Sequence, residues 1–149
     1  MTSARVLAVC LGPGGIPKQP VEGAQVGELG LEGDGHRFRF HGGAHRAVCL
    51  FSTSDYASLR RDGVPCDAPG TFGENLLIEG LDFEALAPGM RLAVGEELLL
   101  EISDVREPCK TLKQVDGRFP ALMEGRSGFL CRVLRTGWVQ PGQGVHPIS

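Results

Sequence analysis

The sequence predicts a mainly β, barrel-like domain made of short strands with a few peripheral helices. The chain contains 22 glycines and 10 prolines among 149 residues, together more than a fifth of its positions, which leaves little room for long helices. The glycines separate short apolar segments, and no segment has low complexity or repeats. Many short apolar runs punctuated by turn residues are typical of a barrel or a sandwich.

Three strands are predicted in the first third of the chain. Residues 5–11 (RVLAVCL) form a continuous apolar run that ends at glycine and proline, which indicates a buried strand followed by a loop. Residues 26–31 indicate a second short strand. Residues 46–52 (RAVCLFS) indicate a third, because apolar, β-branched and aromatic residues are concentrated there.

The clearest helix follows the third strand. Ser52 and Asp55 have the spacing of a capping box, in which a serine side chain begins the helix and an acidic or amide residue lies three positions later. Tyr56 and Leu59 are expected to face inward. Gly63 is expected to end the helix.

The remaining elements predict further strands and short helical turns in one domain. Helical turns are expected after Cys109 and after Pro120. We count seven to nine strands and one good helix, and no domain boundary, so residues 1–149 are predicted to form a single domain. The later strands are expected at residues 75–79, 90–94, 97–103, 129–134 and 138–145.

Composition limits the partners and the compartment. The net charge of -3 and the isoelectric point near 5.8 provide no bulk attraction to nucleic acid or to an anionic membrane. No apolar run approaches the roughly 20 residues that a membrane helix needs. The five cysteines are odd in number and include no CxxC pair, which favours reduced thiols in a cytoplasmic protein. We therefore expect a cytoplasmic monomer or homodimer with no nucleic-acid or membrane partner.

A glycine-rich stretch next to histidine and arginine is the first candidate site. Its glycines do not have the GxGxxG spacing and no helix follows, which excludes a dinucleotide fingerprint. The backbone amides of Gly42 and Gly43 can approach an anion closely, and Arg46 can bind a phosphate through two hydrogen bonds. A tight turn with surface polar residues is the alternative interpretation.

The histidines of this stretch do not predict a zinc site. His41 and His45 are four residues apart, a spacing that brings ligands together only on a helix, and the two glycines between them disfavour one. Neither these two residues nor His36 has a carboxylate or a cysteine at a recognised ligand spacing.

The second candidate site is Cys109. Pro108 directs the chain out of the preceding strand, so Cys109 is expected in a loop at the strand end. Arg106 and Lys110 flank the cysteine, and positive charge lowers the pKa of a thiol. A thiolate is both a nucleophile and a soft metal ligand. The other cysteines are expected to be inert: Cys10, Cys49 and Cys131 as core fillers, and Cys66 in a proline-rich loop without a basic neighbour.

Two further polar residues lie between glycines beside apolar strands. Asn75 could bridge loops or hold a polar ligand, and Arg126 could hold a phosphate or a surface carboxylate. The pattern alone leaves both alternatives open for each residue.

Taken in order, these segments resemble the compact form of the MOSC domain, the C-terminal domain of molybdenum-cofactor sulfurases. The combination of GLEGD, HGG, FGEN and RxPC motifs is more specific than any one of them, and the matching blocks cover more than half of the chain. The blocks are residues 30–52, 72–81, 88–112 and 124–145.

The resemblance implies a mainly β, barrel-like fold, a pocket for molybdenum cofactor (molybdopterin), and a cysteine that binds molybdenum or carries sulfur. That cysteine corresponds to Cys109, which is both the catalytic and the metal-ligand candidate. Cofactor-binding candidates are His41, Gly42, Gly43, Arg46, Asn75, Arg106, Lys110 and Arg126.

Three functions follow as expectations from the resemblance and from Cys109. The first is an oxidoreductase that binds molybdenum cofactor and reduces N-hydroxylated small molecules with electrons from a partner reductase. The second is a carrier of persulfide sulfur or of cofactor for a recipient enzyme. The third is a binding module for a small anion without chemistry. We expect the chain to lack the pyridoxal-phosphate domain of the large sulfurases.

Overall fold

The computed structural model describes residues 3–35, 44–108 and 110–148; the side chains of His45 and Lys110 also lie outside the description. Strands account for most of the regular structure, and the one α-helix among these residues is α1 (Thr53–Arg61). Short 3-10 helices lie at Ala44–Arg46, Phe83–Ala85, Lys110–Gln114 and Ala121–Met123. The strands are β1 (Arg5–Leu11), β2 (Gln19–Val21), β3 (Ala24–Gly27), β4 (Gly30–Leu31), β5 (Val48–Ser52), β6 (Leu76–Glu79), β7 (Arg91–Val94), β8 (Leu98–Val105), β9 (Phe129–Arg135), β10 (Gly137–Val139) and β11 (Val145–Ile148).

The strands form one large sheet and one small sheet, which confirms the predicted mainly β fold. The large sheet has the order β11-β7-β8-β9-β5-β6-β1-β2, and the small sheet has the order β10-β3-β4. Strands β5 and β6 are parallel, while the other neighbouring pairs are antiparallel. The connection from β5 to β6 contains α1, as a parallel pair requires a crossover.

The large sheet is not closed by a continuous strand ladder, but backbone hydrogen bonds join the start of β1, the strand next to the edge strand β2, to β11 and the residues before it. The Val6 amide donates to the Gln143 carbonyl at 2.9 Å, and the Gly142 amide donates to the Val6 carbonyl at 2.8 Å. The Val145 amide, at the start of β11, donates to the Ala4 carbonyl at 3.0 Å. These bonds give the sheet its barrel-like character.

Two hydrophobic clusters lie on opposite faces of the large sheet. Along β6, the side chains of Leu76 and Ile78 pack in the first cluster and that of Leu77 in the second, as the alternation of a strand requires. The first cluster also includes residues of the small sheet. The second is completed by Tyr56 and Leu59 of α1.

The predicted helix is confirmed. The Ser52 side-chain oxygen accepts hydrogen bonds from the Ser54 amide at 3.0 Å and the Asp55 amide at 3.4 Å, which caps the first turn. Tyr56 and Leu59 are buried, as expected from their spacing. The helix places Tyr56 against the sheet, where its hydroxyl reaches the polar groups described below.

Two predicted strands divide in the structure. Residues 26–31 form the hairpin β3–β4 instead of one strand. At Gly30 the backbone φ is +118° and an added Cβ would lie 2.3 Å from the Ala47 carbonyl oxygen, so the chain turns where only glycine fits. Residues 138–145 divide into β10 and β11, which belong to different sheets.

Strand β2 was not predicted from the sequence. Its Pro20 has no amide proton to donate, but it is accommodated because β2 is an edge strand.

Candidate functional site

The predicted site residues divide into those that the structure describes and those that it does not. Cys109, His41, Gly42 and Gly43 lie outside the described residues, as does the side chain of Lys110. Their roles therefore remain predictions. The described candidates are Arg46, Asn75, Arg106 and Arg126.

Asn75 connects three parts of the chain at the start of β6. Its side-chain oxygen accepts a hydrogen bond from the Cys49 amide at 2.9 Å. Its side-chain nitrogen donates to the Cys10 carbonyl at 3.2 Å and to Asp34 Oδ2 at 2.9 Å. Asn75 is 3% exposed, and these three bonds use both polar atoms of its amide. Of the two interpretations left open by the sequence, the contacts favour a bridge between segments.

Asp34 belongs to a buried ion pair that sequence reasoning missed. Lys18 Nζ donates to Asp34 Oδ1 at 2.6 Å, and the two side chains are 8% and 2% exposed. The Gly12 amide donates to the same oxygen at 3.1 Å. Asp34 stands between two glycines of the motif that predicted an anion site, but nothing in the sequence around Lys18 indicated that its ammonium group would be buried.

Arg106 follows β8 and retains an unused donor. Its Nη2 donates to the Phe72 carbonyl, and its backbone amide donates to the Gly128 carbonyl at 3.1 Å. Its Nη1 is buried and has no hydrogen-bond partner within residues 3–35, 44–108 and 110–148. A buried cationic N–H without a partner is costly, so this nitrogen is a candidate contact for an anion.

Sequence reasoning also missed Glu74. Of the FGEN motif, only the asparagine was considered as a site residue. Its carboxyl group is fully buried. Oε2 accepts hydrogen bonds from the Tyr56 hydroxyl at 2.6 Å and from the Gly70 amide at 3.0 Å. Oε1 has no partner in the described part of the chain. Burial raises the pKa of the Glu74 carboxyl above its ordinary value, which favours the protonated form.

Four ionisable side chains influence the pKa of the Cys49 thiol, near the start of β5. Burial is the largest cause and raises the pKa of this thiol. Arg106, Lys18 and Arg46 lower the pKa, whereas Glu74 raises it. Three cationic side chains and one carboxyl group therefore surround this point of the sheet, and two of the cations, Arg46 and Arg106, are residues that the sequence predicted.

Arg126 is placed elsewhere. Its Nε donates to the Leu122 carbonyl at 2.7 Å, its Nη1 to the Ser58 hydroxyl at 2.6 Å, and its Nη2 to Asp62 Oδ2 at 2.6 Å. All three guanidinium nitrogens therefore donate hydrogen bonds. These bonds join the Ala121–Met123 turn to α1 and to Asp62, which directly follows α1. The structure thus favours the carboxylate alternative that the sequence left open for this residue.

The four described cysteines are buried and free. This confirms Cys10, Cys49 and Cys131 as core residues. Cys66 also lies in the second hydrophobic cluster, and its carbonyl accepts a hydrogen bond from Arg60 at 3.0 Å, so the expectation that it lacks a basic neighbour was wrong. Burial raises the pKa of all four thiols, that of Cys10 to about 12.

A cleft of about 390 Å³ opens beside the Lys18–Asp34 pair. Its walls include Ile16, Lys18, Pro69 and Gln114. Gln114 ends the 3-10 helix Lys110–Gln114, which begins directly after Cys109 in the sequence. The cleft is therefore lined both by Lys18 of the ion pair and by the last residue of this 3-10 helix.

Two features are absent from residues 3–35, 44–108 and 110–148. Among those residues, no group of three or more histidine, cysteine, aspartate or glutamate side chains is arranged to hold a metal ion. In the same ranges, no helix has the length and apolar character needed to cross a membrane.

Comparison with known proteins gives one family and several relatives. The family model described as the MOSC domain matches residues 37–146. A protein named "Reductase" from Gibberella moniliformis is 32% identical over 126 residues, which cover 78% of this chain and 22% of that protein. The uncharacterized protein YflK from Bacillus subtilis is 30% identical over 141 residues, which cover 91% of this chain and 63% of YflK.

The fold also has a close structural counterpart. The crystal structure of YiiM from Geobacillus stearothermophilus superposes with a TM-score of 0.80 at 26% identity, covering 98% of this chain and 75% of that one. Against the curated relatives the chain is shorter: it spans about a fifth of the Gibberella reductase and less than two thirds of YflK.

Proposed function

The chain belongs to the MOSC domain family, which is associated with molybdenum cofactor, and we propose that it binds this cofactor and reduces N-hydroxylated small molecules. In this proposal Cys109 supplies a thiolate ligand to molybdenum. Electrons come from a partner reductase. The reductase named among the relatives supports the redox assignment, although the chain matches only part of that protein.

The observation that carries the proposal is the unused buried donor of Arg106. Nη1 of this side chain is buried without a partner in the described part of the chain. The charges of Arg46 and Arg106 both lower the pKa of the buried Cys49 thiol, so both side chains act on the same part of the protein. The pterin part of the cofactor carries a phosphate group, and arginine binds phosphate through charge-assisted hydrogen bonds. The residues present therefore fit an anionic cofactor.

Further residues of the proposed site come from the predicted set. We assign the amides of Gly42 and Gly43, the His41 side chain and the Lys110 ammonium group to the same anionic ligand, and Cys109 to the metal. Asn75 acts indirectly, because its amide fixes β1, β5 and Asp34 relative to one another. When bound, the cofactor supplies two-electron chemistry, while the protein positions the reactants and compensates charge.

The state of the other cysteines supports the choice of Cys109. Metal ligation and nucleophilic attack require a thiolate, and a raised pKa keeps a thiol protonated at neutral pH. Burial raises the pKa of the four described thiols. They are therefore poorly suited to ligate the metal.

Replacing Cys109 with serine is expected to remove bound molybdenum, because a serine hydroxyl is a much poorer soft-metal ligand than a thiolate. Molybdenum would be measured by elemental analysis, and pterin by the fluorescence of its oxidised form. The protein would be produced in a host that makes the cofactor, with Cys66→Ala as a matched control that retains the metal.

The outcomes of this experiment separate the hypotheses. Molybdenum and pterin in the wild type, with metal lost from Cys109→Ser alone, would support the proposed function and justify a screen of N-hydroxylated substrates. The absence of both signals from repeated fresh wild-type preparations would contradict it. A persulfide found on Cys109 in those preparations would favour the carrier function.

Replacing Arg106 with methionine is expected to weaken pterin retention roughly ten- to hundredfold, since a hydrogen bond to a charged group contributes about 1.5–3 kcal/mol. Arg126→Met is the matched control, because it removes the same charge from a guanidinium group that is already used within the chain. Pterin content after gel filtration provides the measurement. Equal retention by the two variants would exclude Arg106 as a cofactor contact.

A further inference from the structure

Glu74 is a buried acid with one oxygen free. It lies in the loop that leads into β6, and its side chain has no exposed surface. Both of its described hydrogen bonds, from Tyr56 and from the Gly70 amide, go to Oε2. Oε1 is left without a partner among the described residues, so a fully buried polar atom remains available to a further group.

The unused oxygen of Glu74 and the unused nitrogen of Arg106 belong to the same part of the molecule. Arg106 donates to the carbonyl of Phe72, two residues before Glu74, and an added Cβ on Gly73 would lie 3.6 Å from Arg106 Nη2. The charge of Arg106 also acts on the Glu74 carboxyl. An unsatisfied donor and an unsatisfied carboxyl oxygen, counted among the described residues, thus belong to two side chains that are linked through Phe72 and Gly73.

The surroundings of Glu74 favour the neutral carboxyl group. Burial is the largest influence and raises its pKa, whereas the hydrogen bonds from Tyr56 and Gly70 and the charge of Arg106 lower it without reversing the direction. The titratable groups around it are the Tyr56 hydroxyl from α1, the Arg106 guanidinium after β8, and the thiols of Cys10, Cys49 and Cys66. Of these, only Arg106 carries charge at neutral pH, because burial raises the pKa of the phenol and of the three thiols.

We propose that Glu74 holds a proton at neutral pH and delivers it from Oε1 to the oxygen that leaves an N-hydroxylated substrate bound at the proposed cofactor site. The second part of this proposal rests on the proposed function, whereas the first part concerns the chain alone. The FGEN motif alone does not predict this role for Glu74. The burial of its side chain and the lack of a partner for Oε1 among the described residues are seen only in the structure.

The proposed reaction balances. A hydroxylamine, R–NH–OH, takes up two electrons and two protons to give R–NH₂ and water. The N–O bond breaks, the partner reductase is the source of the electron pair, and Glu74 supplies the proton that converts the leaving hydroxyl to water. The second proton, which goes to nitrogen, comes from solvent. Glu74 is then reprotonated from solvent.

The first test is infrared difference spectroscopy of the full chain without cofactor at neutral pH. A protonated carboxyl group has a carbonyl band that ionised surface carboxylates lack. We expect this band in the wild type and in Glu79→Gln, whose carboxylate pairs with Arg5 at the surface, but not in Glu74→Gln. Tyr56→Phe, which removes one donor to Oε2, should keep the band at a shifted frequency and so identifies it even if Glu74→Gln does not fold. Absence of the band from the wild type overturns the proposal.

The pH dependence of unfolding gives a second readout without cofactor. Because the folded state holds the Glu74 proton to a higher pH than the unfolded state, the wild-type folding equilibrium constant should fall as pH rises above about 4.5, by up to tenfold per pH unit until the folded pKa is reached. The glutamine of Glu74→Gln has no titrating proton. The folding equilibrium constant of this variant should therefore not show the decline with rising pH that Glu79→Gln should still show. Parallel curves for the two variants would overturn the proposal.

The third test uses protein loaded with cofactor. We expect Glu74→Gln to retain wild-type molybdenum content and KM while kcat falls at least tenfold and loses its decline at high pH. An unchanged kcat and pH profile would overturn the proton-delivery role. Loss of molybdenum binding by the wild type would instead contradict the proposed function, and the infrared band would then still decide whether Glu74 is protonated.

Discussion

Replacing Asn75 with alanine is expected to lower the free energy of unfolding by about 3–5 kcal/mol, because three hydrogen bonds are lost and their buried partners are left unsatisfied. Those partners are the Cys49 amide, the Cys10 carbonyl and Asp34 Oδ2. The backbone of Asn75 adds bonds to the same two strands, so the substitution affects the side-chain bridge and leaves the strand pairing in place. Urea denaturation followed by circular dichroism gives the measurement.

Two comparisons isolate the cause of this effect. Asn75→Asp keeps the oxygen that accepts from Cys49 but places a second carboxylate beside Asp34, so we expect it to be at least as damaging as alanine at neutral pH. Gln140→Ala removes an exposed amide that accepts from Trp138, and its expected cost is below about 0.5 kcal/mol. An Asn75→Ala variant within 1 kcal/mol of the wild type would show that the bridge is dispensable.

The sequence predicts the strands well where the signal is local. Residues 5–11 are apolar throughout and form β1 with the predicted bounds, and the Ser52 cap and the inward positions of α1 are as expected. The prediction of a single strand over residues 26–31 failed, because the chain reverses between β3 and β4, and Gly30 at the start of β4 lies against the backbone of the distant Ala47. Such a long-range contact leaves no periodic pattern in the sequence.

The candidate site is less predictable, because its residues come from separate segments. Arg106 and Arg126 look alike in sequence, each an arginine near a glycine or a turn, yet one has a buried nitrogen without a partner among the described residues and the other uses all three guanidinium nitrogens. Lys18 and Glu74 resemble ordinary surface residues in sequence. Their burial follows from the packing of loops that are far apart in the chain, which a single sequence does not encode locally.

Separating Lys18 from Asp34 is expected to be about as damaging as removing Asn75. Each single substitution leaves one charge buried without its counter-charge, at a cost of about 3–5 kcal/mol. In Lys18→Met the Asp34 carboxylate keeps its donors from Gly12 and Asn75, and in Asp34→Asn the ammonium group loses its counter-charge. The measurement is the free energy of unfolding of both single variants and of the double variant.

The double variant Lys18→Met/Asp34→Asn distinguishes an ion pair from two independent contributions. An apolar side chain facing a neutral amide avoids the isolated charge, so the double variant should lose several kcal/mol less than the sum of the two single losses. Additive losses would mean that each residue acts through its other neighbours. Lys18 also lines the cleft of about 390 Å³, so this wall of the cleft contains one member of the ion pair whose coupling the double variant measures.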